Sequence, residues 1–348
     1  MTAVVALHVD GGPGVGLGHV SRGLGLAAAL GERDCQPIFL IAEGSEVGGY
    51  LGRLDRRVVA CPPTATGLLA ACGEVGAAAL VIDSYRVGDA DLIRLEASGL
   101  LLVCFDDTAE RAIVAHLIVN GSPAALSMAY ALREGCRYLL GPTYQIVRPE
   151  FVPDVPRDHA GLAANVLVTV GGDDVLGILR DLVAFFGSFS PAPSPGSHVD
   201  VVVGPFVRRL DHWDVPAGVR LHHAPPDMRA LMIDADVAVS AGGQTLYELA
   251  RCGTPTVGLC VADDQAPNLE TLARMGAIEY VGRARTPGWI DRLAAALETL
   301  RHDASRRARM ARTASHLING QGAARVADEI GARLADERLN ASLEWRRE

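Results

Sequence analysis

Short apolar runs alternate with longer segments of helical period along the chain, the pattern of strands and crossover helices in a parallel sheet. In the first half the apolar runs fall at 3–9, 37–42, 57–61, 79–84, 100–106 and 116–120, and RYLLGP at 137–142 reads as one more strand ending in a turn. Helical patterns lie between them in HVSRGLGLAAALGER, TATGLLAACGEVG and VGDADLIRLEASG. The stretch PEFVPDVPRDHAGLA, residues 149–163, carries three prolines and mixed charge and reads as a linker. The alternation then restarts. Strands are predicted over 165–172, 199–205, 219–224, 237–243, 256–262 and 277–282, with helices over 174–187 and around DMRALMIDA. From about residue 286 the chain is helical in pattern and highly charged.

The fold class is therefore α/β, with two successive Rossmann-like parallel-sheet domains over 1–150 and 151–285 and a charged helical tail over 286–348. Each half has a glycine turn after a strand: GLGH in the first, VGGDD and SAGGQT in the second. Ligands of open α/β sheets bind at the carboxyl ends of the strands, so two such halves facing each other would form a cleft. The tail is expected to cross back onto the first domain, with LNASLEWRRE at its end as solvated surface. No short-period repeat is visible, and the biased stretch is SPAPSPGS at 190–197.

Composition narrows the class. The 348 residues are 49% hydrophobic and 21% charged, as in a well-buried globular protein. A net charge of −9 argues against a nucleic-acid partner, which would need a basic face. The seven cysteines are scattered among apolar neighbours with no C-x-x-C pair, which suggests reduced thiols, a cytoplasmic setting and no zinc site. MTAVVALHVDGG lacks a basic leader segment and reads as a first strand, and no apolar run reaches the roughly 18–20 residues that span a bilayer.

SAGGQTLYELARCGTP, residues 240–255, is the most informative stretch. An apolar strand runs into Gly242-Gly243, and Gln244 and Thr245 open a helix. Unpaired amides and the helix dipole at such a start favour a diphosphate without any lysine. Glu248, one turn in, is placed to accept from ribose hydroxyls. Further on, LCVADDQAPNLETLARMGA brings Gln265 and Asn268 to the start of another helix, where they suit the donor sugar. The plain alternative for both stretches is helix capping and tight packing.

In the first half, the loop before the first apolar helix holds Gly16, Gly18, His19 and Arg22. A glycine-rich strand-to-helix turn suits a phosphate, and a histidine in it suits proton transfer, because imidazole titrates near neutral pH. His19 reads as a general base or as a helix cap. Arg22 reads as a ligand for a phosphate or acyl group, or as a surface salt bridge. Asp10 ends the first strand and would orient His19 or hold a sugar hydroxyl. Asp83 and Asp106-Asp107 also sit at strand ends, where turn chemistry alone explains many aspartates. His222 and His223 are adjacent on a strand and point to opposite faces, which disfavours a two-histidine metal site.

The order GG-x-T-x-x-E, then a strand followed by Gln-x-x-Asn, resembles the donor-binding half of GT-B enzymes, among them the N-acetylglucosaminyltransferase of peptidoglycan lipid intermediates. With Gly16-Leu17-Gly18-His19-Val20-Ser21-Arg22, VIDSY (81–85), FDD (105–107), VNGS (119–122) and VTVGGDD (168–174), the chain resembles more narrowly the UDP-2,4-diacetamido-2,4,6-trideoxy-β-L-altropyranose hydrolases of pseudaminic acid biosynthesis, the SpsG-like family. The resemblance runs from about residue 3 to 282. It implies that a nucleotide-linked sugar loses its nucleoside diphosphate to water with inversion, with His19 as base, Tyr85 beside the sugar, and no metal or other cofactor. One departure is Ser84, where that family often carries histidine.

Three functions compete: hydrolysis of a UDP-sugar, transfer of its sugar to an acceptor by a GT-B glycosyltransferase, and nucleotide-sugar binding without catalysis. A lipid-carrier acceptor would call for an apolar, basic face, and the helix after GLGH reads as core instead. A nicotinamide dinucleotide is disfavoured because the G-x-G-x-x-G order is not met.

Overall fold

The computed structural model describes residues 2–189, 197–207 and 213–345, with side chains described as far as residue 336. Most of the biased stretch at 190–197, and the side chains of the terminal LNASLEWRRE, therefore lie outside the described residues. The chain divides into two compact units. The first comprises Met1–Gly11, His19–Pro149 and Gln321–Glu348, and the second Gly12–Gly18 and Glu150–Gly320.

The first unit contains β1 (Ala3–Val9), α1 (Gly18–Gly31), β2 (Cys35–Ile41), α2 (Val47–Arg53), β3 (Val58–Ala60), α3 (Ala65–Val75), β4 (Ala77–Asp83), α4 (Asp89–Glu96), β5 (Leu101–Phe105), β6 (Leu117–Asn120) and β7 (Arg137–Leu140). Among the described residues the strands form a seven-stranded sheet in the order β3-β2-β1-β4-β5-β6-β7, with every pairing parallel. β1, β4 and β5 are apolar on both faces because both faces are covered, as parallel sheets require. Ala6, Leu40, Leu80 and Ile118 on one face pack with Leu68 of α3 and Leu95 of α4. Each such leucine contributes about 1.5–3 kcal/mol by leaving water. α1 lies close to the sheet: a Cβ at Gly23 would sit 2.9 Å from Val9 Cγ1 and 3.2 Å from the Phe39 ring. The sequence pattern does not mark α2, because Gly48, Gly49 and Gly52 dilute its helical period.

The second unit contains β8 (Val166–Thr169), α5 (Leu179–Ser188), β9 (Val199–Val203), β10 (Val219–His223), α6 (Met228–Asp234), β11 (Val237–Ala241), α7 (Gln244–Arg251), β12 (Thr256–Cys260), α8 (Ala266–Arg274), β13 (Glu279–Arg283), α9 (Trp289–His302) and α10 (Ala304–Leu317). Its described strands form a six-stranded parallel sheet, β10-β9-β8-β11-β12-β13. The core joins Val168, Val201, Val239 and Val257 to Leu182 of α5 and Leu293 of α9. α5 begins later than the helix predicted from residue 174. The Asp174 carboxylate accepts from Ile178 N at 2.8 Å and Leu179 N at 2.9 Å, holding a turn ahead of the first helical residue. Of the charged tail, α9 and α10 go with the second unit and α11 (Gly322–Trp345) with the first.

At the far end of α7, the buried Arg251 guanidinium donates to the carbonyls of Phe151 (3.2 Å) and Val152 (2.6 Å) and pairs with Asp154. The cysteines are free thiols: Cys35, Cys61, Cys72, Cys104, Cys252 and Cys260 are buried and Cys136 is half-buried. Among the described residues no helix is long and apolar enough to cross a membrane.

Candidate functional site

At the carboxyl ends of β1, β4 and β5 the first unit carries a linked group of charged side chains. Register decides which side chains meet there. Val9 pairs with Asp83, and side-by-side residues of a sheet share a face. Val9 faces α1, so Asp83 does too, and it meets His19 and Arg22 at the start of that helix. The His19 Nδ1 atom contacts Asp83 Oδ1. Arg22 donates from Nε to Asp83 Oδ2 at 2.8 Å and from Nη2 to Asp83 Oδ1 at 2.7 Å. It also donates to Asp107 Oδ1 and Oδ2, each at 2.8 Å. The guanidinium stacks over the Phe105 ring at 4.6 Å. Tyr85 lies edge-on to the His19 ring, 5.3 Å between centroids, and its hydroxyl donates to Asp107 Oδ2 at 3.3 Å.

Two carboxylates against one guanidinium leave a unit of negative charge, and His19 is the group placed to meet it. Burial disfavours the imidazolium, but the Asp83 carboxylate outweighs burial and raises the His19 pKa above 6.5. Burial likewise works against charge on Asp83 and Asp107, and Arg22 reverses it, holding Asp83 well below the usual carboxylate range and lowering Asp107 as well. Asp83 is therefore an anion and accepts the proton of His19 Nδ1–H. The neutral ring then carries its lone pair on Nε2, the tautomer a general base requires.

Asp10, expected to orient His19, does not: one residue beyond Val9, it projects from the opposite face. There it accepts from the Ser84 hydroxyl at 2.7 Å and lies 3.7 Å from the Arg86 guanidinium. Arg22, read as a ligand for a phosphate or acyl group or as a surface salt bridge, is a half-buried link between two aspartates, with four hydrogen bonds committed to them. Asp106 and Asp107 divide their roles. Asp106 follows turn chemistry, accepting from Thr108 N at 3.1 Å and Ala109 N at 3.0 Å, while Asp107 joins the Arg22 group.

The glycine loop at 12–18 is closed on itself. Gly16 N donates to Gly12 O at 2.8 Å, Gly12 N to Gly16 O at 3.0 Å, and Val15 N to Gly12 O at 3.1 Å. Gly14 N donates to Asp173 Oδ2 at 2.7 Å. The amide of Gly16, expected to meet a phosphate, is thus spent within the loop, and Gly18 opens α1 directly ahead of His19.

In the second unit β11 runs into Gly242-Gly243 and α7 begins at Gln244, with Gly243, which has no side chain of its own, at the N-cap. Gly242 has no room for a side chain, since a Cβ would lie 2.7 Å from Leu269 Cδ1. The Gln265 side-chain oxygen accepts from Gly242 N at 3.1 Å and Val261 N at 3.2 Å, which ties the ends of β11 and β12 together. Gln244 and Thr245 are half-buried at the helix start, while Glu248 and Asn268, expected to face a ligand, are buried.

At the start of β9, ligand atoms of His198, Asp200 and Asp234 come together as a metal site's would. The Asp200 carboxylate there already accepts from Arg220 Nε and Nη2, each at 2.7 Å, and lies 2.7 Å from His222 Nε2. The protein's own guanidinium meets its charge.

No family model matches the chain. It is 24% identical over 311 residues to the spore coat polysaccharide biosynthesis protein SpsG of Bacillus subtilis, covering 80% of this chain and 83% of that protein. It is 27% identical over 195 residues to the pseudaminic acid cytidylyltransferase and UDP-2,4-diacetamido-2,4,6-trideoxy-beta-L-altropyranose hydrolase of Helicobacter pylori, covering 53% of this chain and 34% of that protein. The solved structure of the calicheamicin glycosyltransferase CalG4 matches with a TM-score of 0.64 at 16% identity, over 96% of this chain and 98% of that one. Its fold is the one described above, two parallel-sheet α/β units, so the chain has the GT-B glycosyltransferase fold.

Proposed function

We propose that this chain is an enzyme that hydrolyses a nucleotide-linked amino-deoxy sugar, a UDP-sugar, at the anomeric carbon. The observation that carries the reading is the His19–Asp83 contact beside Arg22. His19 Nε2 takes a proton from water. The water oxygen bonds to the anomeric carbon as the bond to the phosphate oxygen breaks, with inversion, and the nucleoside diphosphate leaves with the electron pair. Asp83 stabilises the imidazolium formed, and Tyr85, packed on the His19 ring, lies beside the sugar. The start of α7 at Gly243, Gln244 and Thr245 receives the diphosphate, whose charge suits backbone amides and the helix dipole. Residues 1–150 supply the base and 151–285 bind the nucleotide. The hydrolase named in the Helicobacter pylori relative supports this chemistry.

The likeness to CalG4 favours a second reading, in which His19 deprotonates an acceptor hydroxyl instead of water. Release of nucleoside diphosphate from a panel of UDP-sugars, diacetamido-trideoxyhexoses included, separates the two when no acceptor is present and EDTA is. The proposal expects release by the wild type and its loss in His19→Ala. No release until an acceptor is added would establish the transferase. Release that His19→Ala leaves intact would remove His19 from the mechanism.

A further inference from the structure

Between β4 and α4 the chain makes a short turn over residues 84–87, and the proposed reaction uses only Tyr85 of it. Alternation decides where its side chains go. Asp83 faces α1, Ser84 faces the other side of the sheet, and Tyr85 comes back to the α1 side, where it meets His19. The pairing of β1 with β4 continues one step past Val9 and Asp83, with Asp10 N donating to Asp83 O at 3.2 Å. Asp10 and Ser84 therefore lie side by side on the face away from α1, and the Ser84 hydroxyl donates to Asp10 Oδ2 at 2.7 Å. The same hydroxyl oxygen accepts from Arg86 N at 3.1 Å, which closes the turn around Tyr85. At the far end of the turn Val87 is buried with Leu68 of α3 and Leu95 of α4, and its carbonyl accepts from Arg111 Nη2 at 3.0 Å. Tyr85 itself is 51% exposed, and its hydroxyl bond to Asp107 is long at 3.3 Å. The bond that fixes its backbone is shorter and ends on a carboxylate only 5% exposed.

We propose that Asp10 is a positioning residue for the reaction: through the Ser84 hydroxyl it holds the turn that sets the Tyr85 ring against His19. The proposal rests on His19 being the base. It gives a part to an aspartate that ends β1 yet faces away from that base. A carboxylate in so enclosed a place needs a bonded partner, and Ser84 supplies one, with the Arg86 guanidinium 3.7 Å away. On the α1 side the Tyr85 ring covers the imidazole while Asp83 meets Nδ1, and the two contacts together aim Nε2. A loosened turn lets the imidazole swing, so Nε2 meets the water less often in line. The brace acts on the rate of the chemical step and not on UDP affinity, because it bears on no group assigned to the nucleotide.

The test has two readouts. One is the NMR shifts of the carbon-bound protons of the His19 imidazole, which the ring current of Tyr85 displaces. The other is kcat for the hydrolysed UDP-sugar, with the Kd of UDP beside it. Tyr85→Leu removes the ring and defines the full displacement. In Ser84→Ala the His19 shifts move toward the Tyr85→Leu values, kcat falls about tenfold as a displaced catalytic group predicts, and the Kd of UDP stays within about twofold. Asp10→Ala does the same, and the double variant loses no more than either single one, since both break one bond. Ser84→Thr keeps the hydroxyl and Asp10→Asn keeps an oxygen to accept from it, so both retain the wild-type shifts and most of kcat. Should Asp10→Ala fail to fold, Ser84→Ala against Ser84→Thr decides. His19 shifts and kcat that Ser84→Ala leaves unchanged overturn the proposal, as does a loss of UDP affinity equal to the loss of kcat. If the wild type hydrolyses no UDP-sugar, the functional reading fails by itself. The His19 shifts then decide the brace: shifts that Ser84→Ala leaves unmoved overturn it.

Discussion

The two strand-end sites use opposite means to handle charge. In the first unit the work is done by side chains: His19, Arg22, Asp83 and Asp107 form a half-buried network whose members fix one another's protonation. In the second unit it is done by backbone: a glycine turn leads into the start of α7, and Gln265 braces that turn with one side-chain oxygen. A side-chain network suits a step in which a proton moves, since its groups change charge together. A backbone turn suits a ligand whose charge stays constant, since amides do not titrate. The first arrangement is sensitive to pH and to any single substitution; the second is sensitive to shape.

The largest effect expected from this contrast is on catalysis. Asp83→Asn removes the anion that sets the His19 tautomer, and the turnover of the proposed hydrolysis falls by roughly two to four orders of magnitude, the usual span of general-base catalysis. Because Asp83 raises the His19 pKa, the rising limb of the pH–rate profile lies above pH 6.5 in the wild type and moves down in the variant. A profile unmoved by the substitution would break the link between Asp83 and the base.

Next in size is stability. Arg22→Met leaves two carboxylates without their counter-charge, and denaturant unfolding should register a loss of about 3–5 kcal/mol, as for other broken buried pairs. The matching change in the second site is Gly243→Ala. A Cβ there meets nothing within 4 Å and the backbone φ is −87°, so stability should stay within about 0.5 kcal/mol. Calorimetric titration should instead show UDP affinity falling about tenfold, as a methyl group keeps the phosphate from the amides. Equal destabilisation by the two variants would erase the distinction.

The smallest effect is the pH dependence of folding. Asp83 and Asp107 have lowered pKa values, so their contribution is present above the ordinary value of 3.8 and is lost as pH falls through the folded values. His19 has a raised pKa, so its contribution is complete below 6.5 and is lost as pH rises through its folded value. Urea midpoints should therefore be highest between about pH 4 and 6.5, and Arg22→Met should lose the acid-side decline.

Much of the fold was legible because parallel strands buried on both faces leave unbroken apolar runs, as AVVALHV and VAVSA do. α2 was not, since its glycines mask the period, and the start of α5 was misplaced because Asp174 holds a turn within a stretch of helical pattern. At the site, the residue types were visible and their partners were not. Asp10 and Asp83 both end strands. Only the one-residue offset in register, Val9 beside Asp83, turns one toward α1 and the other away from it. Asp106 and Asp107 are adjacent and chemically identical in sequence, yet one holds a turn and the other holds Arg22.

The buried thiols give this chain a built-in record of its own opening. Cys35, Cys61, Cys72 and Cys104 lie in the first unit, and Cys252 and Cys260 in the second. Burial pushes Cys72 and Cys252 up to about 12 and raises Cys104 as well, so these three offer no thiolate near neutral pH while they stay enclosed. An alkylating reagent added during partial unfolding would mark each sulfur at the moment its surroundings part. The masses of the labelled peptides would then give the order in which the two sheets come undone, with no foreign probe introduced.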